Sequence, residues 1–156
     1  MQRTISAMVG KGSVNHNSRK FRAENVDGTR THLNIDYCNE NIKTVYHELF
    51  DEALERYNAK QIRSDRKIKD YYEKIRSSKQ EKPFHEIILQ VGGKGNMNAD
   101  TENGELAKQI LDEYYQGFQE RNPQLRVFSA HLHMDEATPH LHIDFVTFYH
   151  RQQAWT

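Results

Sequence analysis

His131-Leu132-His133-Met134-Asp135-Glu136-Ala137-Thr138-Pro139-His140-Leu141-His142 holds four of the chain's nine histidines, with two carboxylates between them. Its flanks, Arg126 to His133 and His140 to Tyr149, are rich in β-branched and aromatic residues and alternate with a period of two, which predicts two strands. Side chains alternate faces along a strand. Val127, Ser129, His131 and His133 are therefore expected on one face. His140, His142 and Asp144 share a face in the same way, with Leu141, Ile143 and Phe145 turned away. The link Met134 to Pro139 is short enough for an antiparallel hairpin, and Pro139 suits a strand start. Closing that hairpin sets His133 beside His140 and His142, with Asp135 and Glu136 at the rim. Histidine is the commonest metal ligand among side chains. Three imidazoles with carboxylates nearby suit a divalent ion such as Mn, Fe, Co, Ni or Zn. His131 shares the face of His133 and ranks below these three, as an outer partner.

Working outward, Thr4–Val9 reads as a strand, followed by a Gly-containing loop that carries His16. A second strand over Thr31–Tyr37 would place His32 and Asn34 on one face. Val45, Leu49, Ala53, Leu54 and Tyr57 recur at helical spacing and predict a helix over Ile42–Ala59. Ser64 or Asp65 would cap a further helix running to about Ile75. Phe84–Val91 reads as a buried strand. Ala107, Ile110, Leu111, Tyr114 and Phe118 form one stripe of a helix over Thr101–Arg121, stopped by Asn122-Pro123. The order β-β-α-α-β-α-β-β is neither a repeat nor a parallel doubly wound sheet. It predicts an α+β fold, an antiparallel sheet of about five strands with helices packed on one face.

Familiar motifs do not account for the cluster. His47-Glu48 and His85-Glu86 begin like the zinc-protease helix motif, but the second histidine is replaced by Asp51 and Leu89. His131-Leu-His133-Met-Asp135 resembles a metallo-β-lactamase ligand run, with Glu136 where a histidine is required. Gly92-Gly93-Lys94-Gly95 lacks P-loop spacing and reads as a turn. Cys38 is the single cysteine, so neither a disulfide nor a thiolate cage forms within the chain.

The run His133-Met-Asp-Glu136-Ala-Thr-Pro139-His140-Leu-His142 resembles the metal motif of the MobV (Mob/Pre) plasmid-mobilisation relaxases, HUH-type enzymes that nick one DNA strand at a transfer origin. Asn15-His16-Asn17-Ser18-Arg19 resembles the first motif of that family, and His32-Leu33-Asn34 its second, all in the family's order. Two positions depart from it. Ile35 stands where some relatives carry tyrosine, and Val146-Thr147-Phe148 stands where Val-Pro is more usual. The resemblance implies a palm-like sheet with His140 and His142 on a central strand. It implies His133, His140 and His142 as ligands of Mn2+ or Mg2+, and His16 as the nucleophile that holds a 5′ phosphate. Glu136 would orient His16, accept its proton or serve as a fourth ligand. Asn15, Asn17, Arg19, His32 and Asn34 would contact DNA. Tyr37, near the second motif, is the rival nucleophile. A rolling-circle replication initiator with the same site and a non-catalytic, metal-stabilised DNA-binding module are the alternative readings.

The 156 residues suit one domain with a single modest core. The resemblance implies that they are an N-terminal part of a longer protein, with further helices that grip DNA and pair two copies. Accessory transfer proteins are the other expected partners. No apolar run is long enough for a membrane span, and the lone cysteine without a targeting signal fits the cytoplasm. Lys plus Arg equal Asp plus Glu at 22 each, which argues against nucleic acid until the distribution is read. Residues 1–30 carry Arg3, Lys11, Arg19, Lys20, Arg22 and Arg30 against Glu24 and Asp27. Residues 56–82 are also basic, whereas Asp100–Glu120 is acidic. His150 and Trp155 are assigned no role, and His131 none beyond that of an outer partner.

Overall fold

A computed structural model describes residues 4–93 and 97–149. Arg3, Lys94, Gly95, His150 and Trp155 lie outside the described residues. Five strands, β1 (Ile5–Val9), β2 (Ile35–Asn39), β3 (His85–Val91), β4 (Leu125–His133) and β5 (His140–Thr147), form one sheet in the order β1-β3-β5-β4-β2. Every adjacent pair is antiparallel. The histidine hairpin β4–β5 supplies two of the three inner strands, and β5 is central as expected. His133 lies opposite His140, and His131 opposite His142.

The apolar face of the sheet is the main core. Leu89, Val91, Ala130, Leu132, Leu141, Ile143 and Phe145 meet Ala107 and Leu111 of α4 (Glu102–Gln116) and Phe118 of α5 (Phe118–Arg121). Leu141 and Ile143 are fully buried, each contributing about 1.5–3 kcal/mol on transfer from water. The expected helix over Thr101–Arg121 is present but divides at Gly117, and Thr101 caps it by accepting the Gly104 amide at 3.2 Å. A second, smaller helical layer lies on the other face. Val45 and Tyr46 of α2 (Ile42–Ala59) and Ile75 of α3 (Tyr71–Arg76) pack on Phe128 and Val146, beyond the far end of the histidine rows. The acidic α4 thus lies on the face away from the histidines, and the basic stretch around α3 on the same side as them.

Three local expectations give way to tertiary contacts. The strand over Thr31–Tyr37 begins only at Ile35. Thr31–Leu33 is a 3-10 turn instead, because Thr31 and Asn34 turn their side chains to Asp135. His32 and Asn34 therefore do not share a strand face. The helix from Ser64 to Ile75 is broken into a 3-10 turn and α3. Between them Ile68 is pinned by Asn58, whose Oδ1 accepts the Ile68 amide at 2.9 Å and whose Nδ2 donates to its carbonyl at 2.8 Å. Val127 does not share the face of Ser129, His131 and His133. A bulge between Val127 and Ser129 sends Val127 into the apolar core and Phe128 to the opposite side.

Candidate active site

β1 ends beneath a loop that climbs over the histidine face into α1 (Val14–Asn17), a single helical turn. Two glycines let the loop pass. A Cβ on Gly10 would lie 2.0 Å from Glu86 Oε1, and Gly12 adopts φ 75° with its amide 3.4 Å from the same oxygen. Asn17 then drops into the interior, 2 % exposed, and donates to Glu86 and, at 3.3 Å, to Asp144. Its carbonyl meets His133 Nε2 at 2.7 Å. A carbonyl only accepts, so His133 carries its proton on Nε2 and leaves Nδ1 as a lone pair. His140 repeats the pattern, with Nε2 2.8 Å from Gln90 Oε1.

The Nδ1 atoms of His133, His140 and His142 are all buried without a hydrogen-bond partner. The ring centroids of His133 and His142 are 4.7 Å apart, and those of His140 and His142 6.4 Å. Burial, with His142 next to it, pushes the His133 pKa down to about 3, and burial also lowers that of His140. Neutral rings with free nitrogens are the form that binds metals. As they stand, no three His, Cys, Asp or Glu side chains among the described residues are gathered closely enough to hold an ion. The donor set fits a divalent cation on chemistry, through three buried ring nitrogens that nothing else satisfies. His131 is different. Its Nδ1 meets Asp36 at 2.7 Å and its Nε2 meets Ser129 Oγ at 3.1 Å, so neither nitrogen is free.

The hairpin loop carries the carboxylates. Asp135, fully buried, accepts Arg19 Nε at 2.9 Å, Arg19 Nη2 at 2.6 Å, Thr31 Oγ1 at 2.8 Å and Asn34 Nδ2 at 3.0 Å. Burial alone would raise its pKa, but the guanidinium and the two other donors override it and hold the carboxyl well below the usual carboxylate range. Asn34 Oδ1 also accepts the Met134 amide at 2.6 Å. Arg19 is held at φ 63°, an unusual left-handed conformation for a non-glycine residue. It also donates to the His16 carbonyl at 2.8 Å and to Glu136 Oε1 at 3.0 Å.

Glu136 is thereby placed at the junction. Its Oε1 lies 3.6 Å from His16 Nε2 and 3.8 Å from His133 Nδ1, and its Oε2 lies 3.8 Å from His140 Nδ1. Arg19 Nη1 also approaches His16 Nε2 at 3.4 Å. A guanidinium cannot accept, so the contact favours a lone pair on that nitrogen. Burial, then Arg19, lower the His16 pKa, which keeps the ring neutral near neutral pH.

The expected DNA contacts divide. Asn15 and His32 are exposed. Asn17, Arg19 and Asn34 face inward, and their side chains are engaged with Glu86, Asp135 and the hairpin loop. Tyr37 lies on the opposite face of the sheet. Its hydroxyl donates to Asp112 of α4 and its ring stacks on Tyr115 at 4.0 Å. Burial and Asp112 raise its pKa far above the ordinary phenol, the reverse of nucleophile activation. Glu86 is the participant that sequence reading missed. It is buried on β3 opposite Asp144, with Oε1 3.6 Å from His142 Nδ1. Although burial works the other way, His142, Asp144 and Asn17 hold Glu86 ionised, and burial beside that charge raises Asp144. Glu86 falls in step with Ile88 and Gln90 in the strand alternation, but only the β3–β5 pairing reveals what it faces.

A sheet with a hairpin of histidines at its centre and a short turn folded over it defines a palm-type catalytic domain. The chain belongs to the plasmid recombination enzyme family (Mob/Pre), whose model matches residues 12–154. No curated protein sequence matches it. Among solved structures, the fold is similar to the MobM relaxase domain bound to plasmid pMV158 oriT DNA. The Mn-bound complex at pH 5.5 gives a TM-score of 0.54 at 21 % identity, covering 94 % of this chain and 71 % of that one. The Mn-bound complex at pH 4.6 gives 0.55 at 20 %, covering 94 % and 72 %. The complex with a 3′-thiophosphate strand at pH 6.8 gives 0.54 at 22 %, covering 94 % and 71 %. No helix among the described residues is long and apolar enough to cross a membrane.

Proposed function

We propose that this chain is the catalytic domain of a relaxase that nicks one DNA strand at a transfer origin and holds the 5′ phosphate on His16. The observation that carries the reading is the position of Glu136, within 4 Å of His16 Nε2 and of the free nitrogens of His133 and His140. A nucleophile candidate and a metal-binding cluster are thereby joined through one carboxylate. The described MobM complexes contain oriT DNA and Mn, which supports DNA as the substrate and Mn2+ as the cation.

In this reading His133, His140 and His142 would hold the cation, which would neutralise charge on a phosphate oxygen and orient the group. Nε2 of His16 attacks phosphorus, the N–P bond forms and the P–O3′ bond breaks. The His16 ring loses its Nδ1 proton and the departing 3′ oxygen takes one up, so the proton count is unchanged. Neutral histidine is a competent covalent nucleophile. Arg19 is a positioning residue: it fixes the His16 carbonyl, the Glu136 carboxylate and Asp135 at once, and it offsets the carboxylate charge near the attacking nitrogen. Rejoining runs the same steps backwards, with the 3′ hydroxyl displacing His16.

The test is nicking of a supercoiled plasmid carrying the transfer origin of the element that encodes this chain. With Mn2+ the expected products are an open circle and a protein–DNA adduct that acid releases, as a phosphoramidate requires. His16→Ala should lose the adduct and Tyr37→Phe should keep it. Full nicking in EDTA, or an adduct stable to acid and lost in Tyr37→Phe, would overturn the reading. Origin binding without nicking would favour a non-catalytic module.

A further inference from the structure

Phe21 is 58 % exposed, the most exposed phenylalanine among the large hydrophobics of the described residues. It takes no part in either core cluster. Its ring centroid is 6.4 Å from that of His16, at an interplanar angle of 54°. Nor is the residue a loose end of chain, since its amide donates to the Asn15 carbonyl at 3.0 Å, closing the turn that carries His16. The buried, fully engaged side chain of Arg19 anchors the same turn two residues earlier. A ring left in solvent next to His16 gains little for the fold, because its apolar surface stays wet.

Its neighbours are charged in the sense a nucleic acid needs. Lys20 and Arg22 flank it and are both exposed. Lys20 also lines a groove of about 590 Å³ that runs from Asn15 past Asn39, Asn41 and Lys43 to Tyr72 and Phe84. The acidic residue on that wall, Glu40, is paired with Arg126 at 2.7 and 3.0 Å, so the groove's unpaired charge is positive. An aromatic face between cations is the way proteins hold single-stranded nucleic acid: bases stack on the ring and phosphates meet the lysines.

We infer that Phe21 is the stacking seat for a base next to the phosphate attacked at His16, with Lys20 meeting the adjoining phosphate at the mouth of the groove. The inference rests on the DNA reading above and adds to it a strand-binding residue outside the three motifs. Stacking on a ring tolerates any base, so Phe21 would grip the strand without selecting its sequence.

The experiment measures binding of fluorescein-labelled oligo-dT of about 20 nucleotides by anisotropy, with the full chain and without metal. Phe21→Ala should weaken binding about five- to one-hundred-fold. Phe21→Leu should fall with it, because it keeps apolar bulk and loses the π face, whereas Phe21→Trp should bind as well as the parent or better. Lys20→Ala should lower the slope of log affinity against log salt by about one. In strands carrying 5-iodo-deoxyuridine, light should crosslink the parent at Phe21. Equal affinity of parent, Phe21→Ala and Phe21→Leu, including binding too weak to detect in all three, would overturn the inference. His16→Ala, which should form no adduct, separates the two readings. An adduct in His16→Ala together with weak binding by Phe21→Ala would sink the nucleophile assignment and leave the stacking seat standing.

Discussion

Two buried polar regions lie side by side under the turn Val14–Arg19, and they differ in how their atoms are satisfied. Around Asp135 every group is matched: the carboxylate takes four hydrogen bonds from Arg19, Thr31 and Asn34, and Asn34 Oδ1 accepts one from the hairpin backbone. Around His133, His140 and His142 three ring nitrogens are buried without a hydrogen bond, with the Glu136 and Glu86 carboxylates no nearer than 3.6 Å. An unsatisfied buried polar atom costs about 1–3 kcal/mol, so the second region is a standing cost to the folded chain that the first is not. The difference separates a closed hydrogen-bonded scaffold from an open cluster of rings. Asp135 and Arg19 hold the loop in one shape, and the histidines keep donors in reserve.

The comparison can be broken in several ways. The largest effects should be on activity. His140→Ala should reduce nicking below detection while leaving the metal-free melting temperature near that of the parent, because His140 is only partly buried and one of its nitrogens has no partner to lose. Circular dichroism melts beside the nicking assay check both halves, and a large loss of metal-free stability would mean that the histidines are scaffold too.

Asp135→Asn should act in the opposite way. Removing one partner of a buried ion pair costs about 3–5 kcal/mol, so the chain should melt many degrees lower or fail to accumulate folded. Urea unfolding measures the loss, and a change under about 1 kcal/mol would put this clamp in the class of surface pairs.

Metal should favour the unsatisfied region alone. Mn2+ at about 100 times its Kd should stabilise the parent by about 2.7 kcal/mol, seen as a rise in melting temperature that His133→Ala and His140→Ala lack. The smallest change should come from Thr31→Ala, which removes one of four donors to Asp135 and should cost about 1 kcal/mol with nicking retained. Glu136→Gln tests the junction itself: weaker Mn2+ binding would make the carboxylate a ligand, whereas slower nicking at unchanged Mn2+ affinity would make it the partner of His16.

Much of this was legible in the chain. Helical spacing in Ile42–Ala59 reports burial on one face, and period-two alternation in His140–Thr147 separates an apolar face from a polar one, although both faces of that strand are buried. The hairpin followed from its short link. The errors occur where a side chain far away in sequence captures the backbone: Asp135 turns Thr31–Leu33 into a 3-10 bend, Asn58 interrupts the path to α3, and the bulge at Phe128 moves Val127 to the apolar core. None of these leaves a local pattern, because each depends on a partner at least ten residues away.

By itself, the order of residues determined the strands, the long helices and the facing of His140 and His142, because these rest on periodicity and on the alternation of side chains along a strand. The tertiary structure alone decided which buried groups are satisfied. It tied Asn17, Arg19 and Asn34 to Glu86, Asp135 and the hairpin loop, set Tyr37 against Asp112 on the far face, brought Glu86 beneath His142 and gave Glu136 its place between His16 and the histidine pair. The physical reason is that hydrogen-bond satisfaction belongs to pairs of groups, and those pairs join residues up to 127 positions apart.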